Sequence, residues 1–197
     1  MASAEEKLAT GKKHKDTADQ AFKDGDTKTA LSQYHFALMY LQGLDKSAMK
    51  SLGLVGSNTT PPKEGEALNE KTEVDEIVEK IYANMSACHI KNGNWKRAQE
   101  TAEKALAKND KNFKAMYRKA KALAEQRFFE KAEKIYLELK EKNPTDAAAV
   151  DKDLAHYRAI DKELEKANRQ KLKGFLNKKP GGMTIEEKLS EAKPAEA

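Results

Sequence analysis

Apolar and small residues recur along this chain at steps of three and four, in bursts separated by turn residues, which is the signature of a series of amphipathic helices. Ala4 to Lys23 contains no proline and only an early glycine, Gly11, so it reads as a first helix, and Asp24-Gly25-Asp26 supplies its stop. Asp26 or Thr27 then caps a second helix to about Leu41, with Ala30, Leu31, Tyr34, Ala37, Leu38 and Leu41 on one face. From Gly43 to about Lys71 the periodicity gives way to Gly, Ser, Asn, Thr and Pro, which predicts an inserted loop, mobile at least over 52–65. A helix resumes near residues 69–72 and runs to Lys91, with Val74, Ile77, Val78, Ile81, Tyr82, Met85 and His89 at helical spacing. Asn92-Gly93-Asn94 closes it, and Trp95 to Lys108 forms its partner, with Ala98, Ala102, Ala105 and Leu106 inward. Asn109-Asp110-Lys111-Asn112 turns the chain into a third pair, Phe113 to Glu125 and Phe128 to Lys142. Asn143-Pro144-Thr145-Asp146 is a stop and a fresh cap. Beyond it, Ala147 to Leu176 reads as one long helix, with Val150, Leu154, Tyr157, Ile160 and Leu164 on a face suited to sealing the open end of a stack.

The second and third pairs superimpose in sequence with a shift of 34 residues: Lys80 falls on Lys114, Asn84 on Arg118, Ser86 on Ala120 and Ala98 on Ala132. Within each pair a small residue sits twelve positions before another, Ala18 before Ala30, Ser86 before Ala98 and Ala120 before Ala132, so that the two helices can approach closely. A period of this size with this spacing predicts an all-α fold: three helix-turn-helix repeats in a right-handed solenoid, followed by a long C-terminal capping helix. The implied division is an N-terminal tail over 1–9 and a repeat domain over 10–176. Within that domain lie repeat one at 10–43, an insertion at 44–70, repeat two at 71–109, repeat three at 110–143 and the last helix at 146–176. Residues 177–197 have too few apolar side chains to bury and are expected to be a disordered tail. In such a stack the first helix of each pair lines the concave side, so residues 34 apart stand side by side there.

Composition narrows the function. Charged residues are 35% and aromatics 7%, the profile of a polar helical protein rather than a deep-pocketed enzyme. The net charge of +5 arises from 37 basic residues interspersed with 32 acidic ones, so nucleic acid is not expected as a partner. One cysteine, Cys88, excludes an intramolecular disulfide framework and fits a reducing compartment. No apolar run is long enough to span a bilayer and the N-terminus lacks the pattern of a secretory signal, so a soluble cytoplasmic protein, extending to the nucleus, is expected. His14, His35, His89 and His156 form no metal-ligand spacing, and neither a phosphate-binding glycine loop nor a Gly-x-Ser-x-Gly turn is present. No cofactor, no metal and no catalysis are expected.

Gly-Asn-Trp-Lys-Arg-Ala, Lys-Ala-Met-Tyr-Arg-Lys-Ala-Lys-Ala-Leu, Phe-Phe-Glu-Lys-Ala and Asn-Pro-Thr-Asp resemble tetratricopeptide repeats two and three. Ala18, Ala30, Tyr34 and Ala37 match the first repeat. The likeness is nearest to the tetratricopeptide repeat protein 9 group, then to the repeat domains of FK506-binding immunophilins. It implies a non-catalytic adaptor or co-chaperone. Some domains of this kind hold the acidic C-terminal Glu-Glu-Val-Asp of heat shock protein 90 or 70 with a carboxylate clamp of five residues. Lys15, Asn84, Lys114 and Arg118 match four of them. The residues alone agree, because three cations and an amide along one wall suit closely spaced carboxylates. Asp19 stands at the fifth position, where clamp proteins usually carry Asn, one turn from Lys15 and able to pair with it.

Simpler roles stand beside these. Each of the cations, taken singly, suits a solvated surface, Asn84 could satisfy a neighbouring backbone group, and Met85, Met116 and Cys88 fit helix packing. An inactive clamp that takes another peptide is the first alternative. The second is the basic stretch Lys166 to Lys179, with six cations, no acid and Leu172, Phe175 and Leu176 as anchors, which suits calmodulin, an anionic membrane or RNA. A solvated helix end is the simpler account of that stretch, and a membrane is not expected as a partner.

Overall fold

The computed structural model describes residues 3–42, 44 and 72–177. The predicted insertion at 44–70, all but Leu44, the tail beyond residue 177 and the distal end of the basic stretch lie outside the described residues. Among those described, the elements are seven α-helices and one short 3-10 turn: α1 (Ala4–Lys23), α2 (Thr27–Leu41), α3 (Glu73–Lys91), α4 (Trp95–Lys108), α5 (Phe113–Glu125), α6 (Phe129–Lys142), the turn Pro144–Asp146, and α7 (Ala147–Asn177). The chain divides into two compact units, 1–154 and 155–197.

Side-chain caps set most of the helix starts. Asp26, Asn94 and Asn112 each accept the backbone N–H three residues on, satisfying a donor the helix cannot pair internally, at about 1 kcal/mol each. Thr72 and Asp75 cap one another reciprocally at α3. Ser3 and Glu6 do the same at α1 (3.2 and 2.8 Å). This box starts the helix at Ala4, where the sequence placed it, so α1 includes residues 4–9 of the stretch set apart as an N-terminal tail.

The unit 1–154 is held by small residues at the predicted twelve-residue spacing. Ala18, Ala30, Ser86, Ala98 and Ala120 are fully buried and Ala132 nearly so. At the middle crossing the Ser86 hydroxyl donates to the Ala98 carbonyl at 2.8 Å, so the one polar member of the set is satisfied across the helix pair. At α1 an added Cβ on Gly11 would stand 2.8 Å from Leu41 Cγ, which is why the first pair closes tightly there. Around these contacts Tyr34, Leu38, Leu41, Ile77, Ile81, Met85 and Cys88 form a core joining α1, α2 and α3. Full burial of a side chain of this size contributes about 1.5–3 kcal/mol. Ala83, Ala105 and Ala115 carry the packing on to α5. Val150 and Leu154 of α7 are buried, and Asp153 accepts from the hydroxyls of Tyr117 (2.6 Å) and Tyr136 (3.2 Å), tying the start of α7 to α5 and α6.

In the unit beyond residue 154, Tyr157 is buried, Ile160 and Leu164 are half-buried, and all other residues from 161 to 173 are exposed. The rings of His156 and Tyr157 meet edge to face there.

The turn after the first helix of each repeat requires a positive φ, which Gly25 (87°) and Gly93 (68°) supply. Arg127 occupies the same place in repeat three with φ 67°, where an L side chain is strained. Arg127→Gly is expected to stabilise the protein by about 1 kcal/mol, and Ala120→Leu, which forces a large side chain between α5 and α6, to destabilise it by about 1–3 kcal/mol or more. Urea denaturation of the three proteins checks both.

Candidate peptide-binding groove

Three first helices contribute to one hollow of about 240 Å³. Lys15 and Asp19 come from α1, Lys80, Ala83 and Asn84 from α3, and Lys114 and Arg118 from α5, with the capping residue Asn112 beside them. All five residues singled out in the sequence are thus brought together. Asn84 and Arg118 stand two residues before Ser86 and Ala120 and so point away from the face that holds those small residues, whereas Lys15 and Asp19 flank Ala18 more closely and Asp19 still reaches Tyr34 of α2. Four cations face one carboxylate here, an excess of three positive charges in a concave, partly solvated setting.

Asp19 is the most connected member. Its Oδ2 accepts from Lys15 Nζ at 2.7 Å, and its Oδ1 accepts from the Tyr34 hydroxyl and from Asn84 Nδ2 at 2.9 Å. Burial alone would raise its pKa, but the bonds from Lys15, Tyr34 and Asn84 and the Lys15 charge outweigh burial and hold it below the ordinary carboxylate value. Burial likewise works against the Lys15 ammonium, and Asp19 outweighs it, so Lys15 is held above the ordinary lysine value. The Tyr34 hydroxyl is pushed well up, first by burial and then by Asp19, and is a fixed donor.

The other wall is less committed. Arg118 Nη1 donates to the Ala83 carbonyl at 2.7 Å, and burial lowers its pKa below the ordinary guanidinium value. Lys114 is exposed and makes no hydrogen bond or ion pair among the described residues, and Lys80 has only Glu76, 4.0 Å away. Asn112 caps α5 and also donates to the buried Glu79 at 2.7 Å, where Asn109 donates as well at 2.8 Å. A second hollow of about 560 Å³ continues from Lys114 and Arg118 past Phe22, Ile90 and Tyr117, giving the groove an apolar stretch beside its cationic one.

Sequence reasoning missed Tyr34 as a groove donor, because its place among Ala and Leu marks it only as core. It also left Lys80 out, although the 34-residue shift onto Lys114 was a usable signal. Met85, Met116 and Cys88 are buried, and burial pushes the Cys88 thiol up to about 11, which makes it unreactive. No group of acidic, His or Cys side chains able to hold a metal occurs among the described residues.

The sequence model of the tetratricopeptide repeat matches residues 89–152, the part that contains α4, α5 and α6. The fold is that of the tetratricopeptide repeat. Solved repeat domains share it. The C-terminal TPR-containing domain of a Plasmodium falciparum FK506-binding protein matches with a TM-score of 0.65 at 20% identity, over 84% of this chain and 97% of that one. The first TPR of Spaghetti (RPAP3), solved bound to the HSP90 peptide SRMEEVD, matches with 0.54 at 15% identity, over 78% and 96%. The Hsp90 co-chaperone Cns1 from Saccharomyces cerevisiae matches with 0.56 at 21% identity, over 87% of this chain and 48% of that one. Tetratricopeptide repeats form a non-catalytic scaffold for protein interaction, and the concave groove is where this one gathers its cations.

A carboxylate with a lowered pKa stabilises the fold above its unfolded value, near pH 4, and that contribution is lost as pH falls through the folded value. Asp19→Asn is therefore expected to cost about 1 kcal/mol in urea denaturation at pH 7, with the difference from wild type vanishing below the carboxylate range.

Proposed function

We propose that the protein is a non-catalytic adaptor or co-chaperone that takes the acidic C-terminal tail of a heat shock protein, 90 or 70, in this groove, acting in the cytoplasm. The observation that carries the reading is the convergence of Lys15, Lys80, Lys114 and Arg118, from three separate helices, on one hollow with an excess of positive charge. Arg offers a planar fork to a carboxylate and Lys a mobile point charge, so this pair on α5 suits the end of an acidic peptide. The apolar stretch past Ile90 and Tyr117 gives such a peptide somewhere to lay its uncharged side chains. A shared fold with a domain solved on an HSP90 peptide and with an Hsp90 co-chaperone supports the same choice of partner.

The test is a titration with a labelled Met-Glu-Glu-Val-Asp peptide. Lys114→Ala is the informative variant, since Lys114 makes no hydrogen bond or ion pair among the described residues. It is expected to weaken binding about tenfold while leaving stability unchanged. Arg118→Ala is expected to abolish binding, with some loss of stability because its bond to Ala83 goes too. Absence of binding to the wild type, or binding indifferent to both substitutions, removes the reading.

A further inference from the structure

Lys15, Tyr34 and Asn84, from three helices, each give one hydrogen bond to an acceptor belonging to the chain itself. Asp19 takes one from Lys15 at 2.7 Å, one from the Tyr34 hydroxyl and one from Asn84 at 2.9 Å. An ionised carboxylate has about four lone-pair positions, so three are filled, and its charge is balanced by the nearest cation. Across the same hollow the situation is reversed. Lys114 makes no hydrogen bond or ion pair among the described residues, and Arg118 spends one N–H on a carbonyl and retains the others. The groove therefore has one seat already taken by a carboxylate and one seat open to a carboxylate.

We propose that this is a one-carboxylate clamp: Asp19 occupies the seat built by Lys15, Tyr34 and Asn84, and the partner delivers a single carboxylate to Lys114 and Arg118. The proposal rests on the peptide-groove reading above and names the partner class it admits, an acidic peptide anchored through one carboxylate. A second ligand carboxylate has two ways in. Displacing Asp19 strips three donors from it, among them the hydroxyl of the fully buried Tyr34, which would be left without its acceptor. Settling beside Asp19 places two like charges at close range in a partly solvated hollow. Either route costs more than leaving the second carboxylate in water.

Fluorescence anisotropy with three labelled peptides tests this on the full chain. Met-Glu-Glu-Val-Asp carries two carboxylates on its last residue, and its C-terminal amide and Met-Glu-Glu-Val-Ala carry one each. The wild type is expected to bind all three within about threefold of one another. Asp19→Asn, which empties the taken seat of its charge, is expected to bind the first peptide about tenfold tighter than the wild type does and to change the other two by less than about threefold. Circular dichroism establishes that Asp19→Asn is folded, and the wild-type comparison among peptides stands without that variant. A wild-type preference of tenfold or more for the two-carboxylate peptide overturns the proposal, as does a folded Asp19→Asn that gains nothing. If neither protein binds any of the peptides, the groove reading itself fails and takes the proposal with it.

Discussion

Close contact between helices at small residues is the constraint on which the rest of this structure depends. Ala18 with Ala30, Ser86 with Ala98 and Ala120 with Ala132 are buried at matching places in the three helix pairs, and in the middle pair the Ser86 hydroxyl bonds the Ala98 carbonyl across the helices. That contact fixes the rotation of each helix about its own axis. With Ser86 bonded to α4 and Ala120 buried at the same place in the next repeat, Asn84 and Arg118, two residues before each, look away from that face and into the groove. Lys15 joins them from α1, one turn before Ala18. A groove of this kind is specified by alanines as much as by the cations that line it.

The distribution of charge in the groove follows a second rule, that a partly buried carboxylate must find donors. Asp19 finds three, and each is drawn from a different helix. The same carboxylate that removes donors from a ligand thus stitches α1 to α2 and α3. Asp153 plays the corresponding part at the far end of the unit 1–154, holding Tyr117 and Tyr136 against α7.

Most of the helical layout was legible because it is written redundantly, in periodicity, in caps and in a repeat that can be checked against itself. The convergence of Lys15, Asn84, Lys114 and Arg118 was legible for the same reason, since residues one period apart must be neighbours on a stack. What the repeat could not convey is chemistry that breaks it. Arg127 holds a backbone conformation that glycine holds in the other two repeats, and nothing in its own side chain announces this. Tyr34 was visible as a core residue, but the direction of its hydroxyl depends on where Asp19 ends up, which is a tertiary fact. The start of α1 at Ala4 was legible from the lack of any proline up to Lys23, while the Ser3 and Glu6 caps that fix it lie outside the apolar pattern.

The buried Glu79 has one consequence for recognition. By accepting from both Asn109 and Asn112 it pins the connection between the second and third repeats onto α3. Asn112 also caps α5, so one carboxylate on α3 ties down the start of the helix that carries Lys114. The spacing of the groove's cations along the stack thus leans on an acidic side chain that touches none of them.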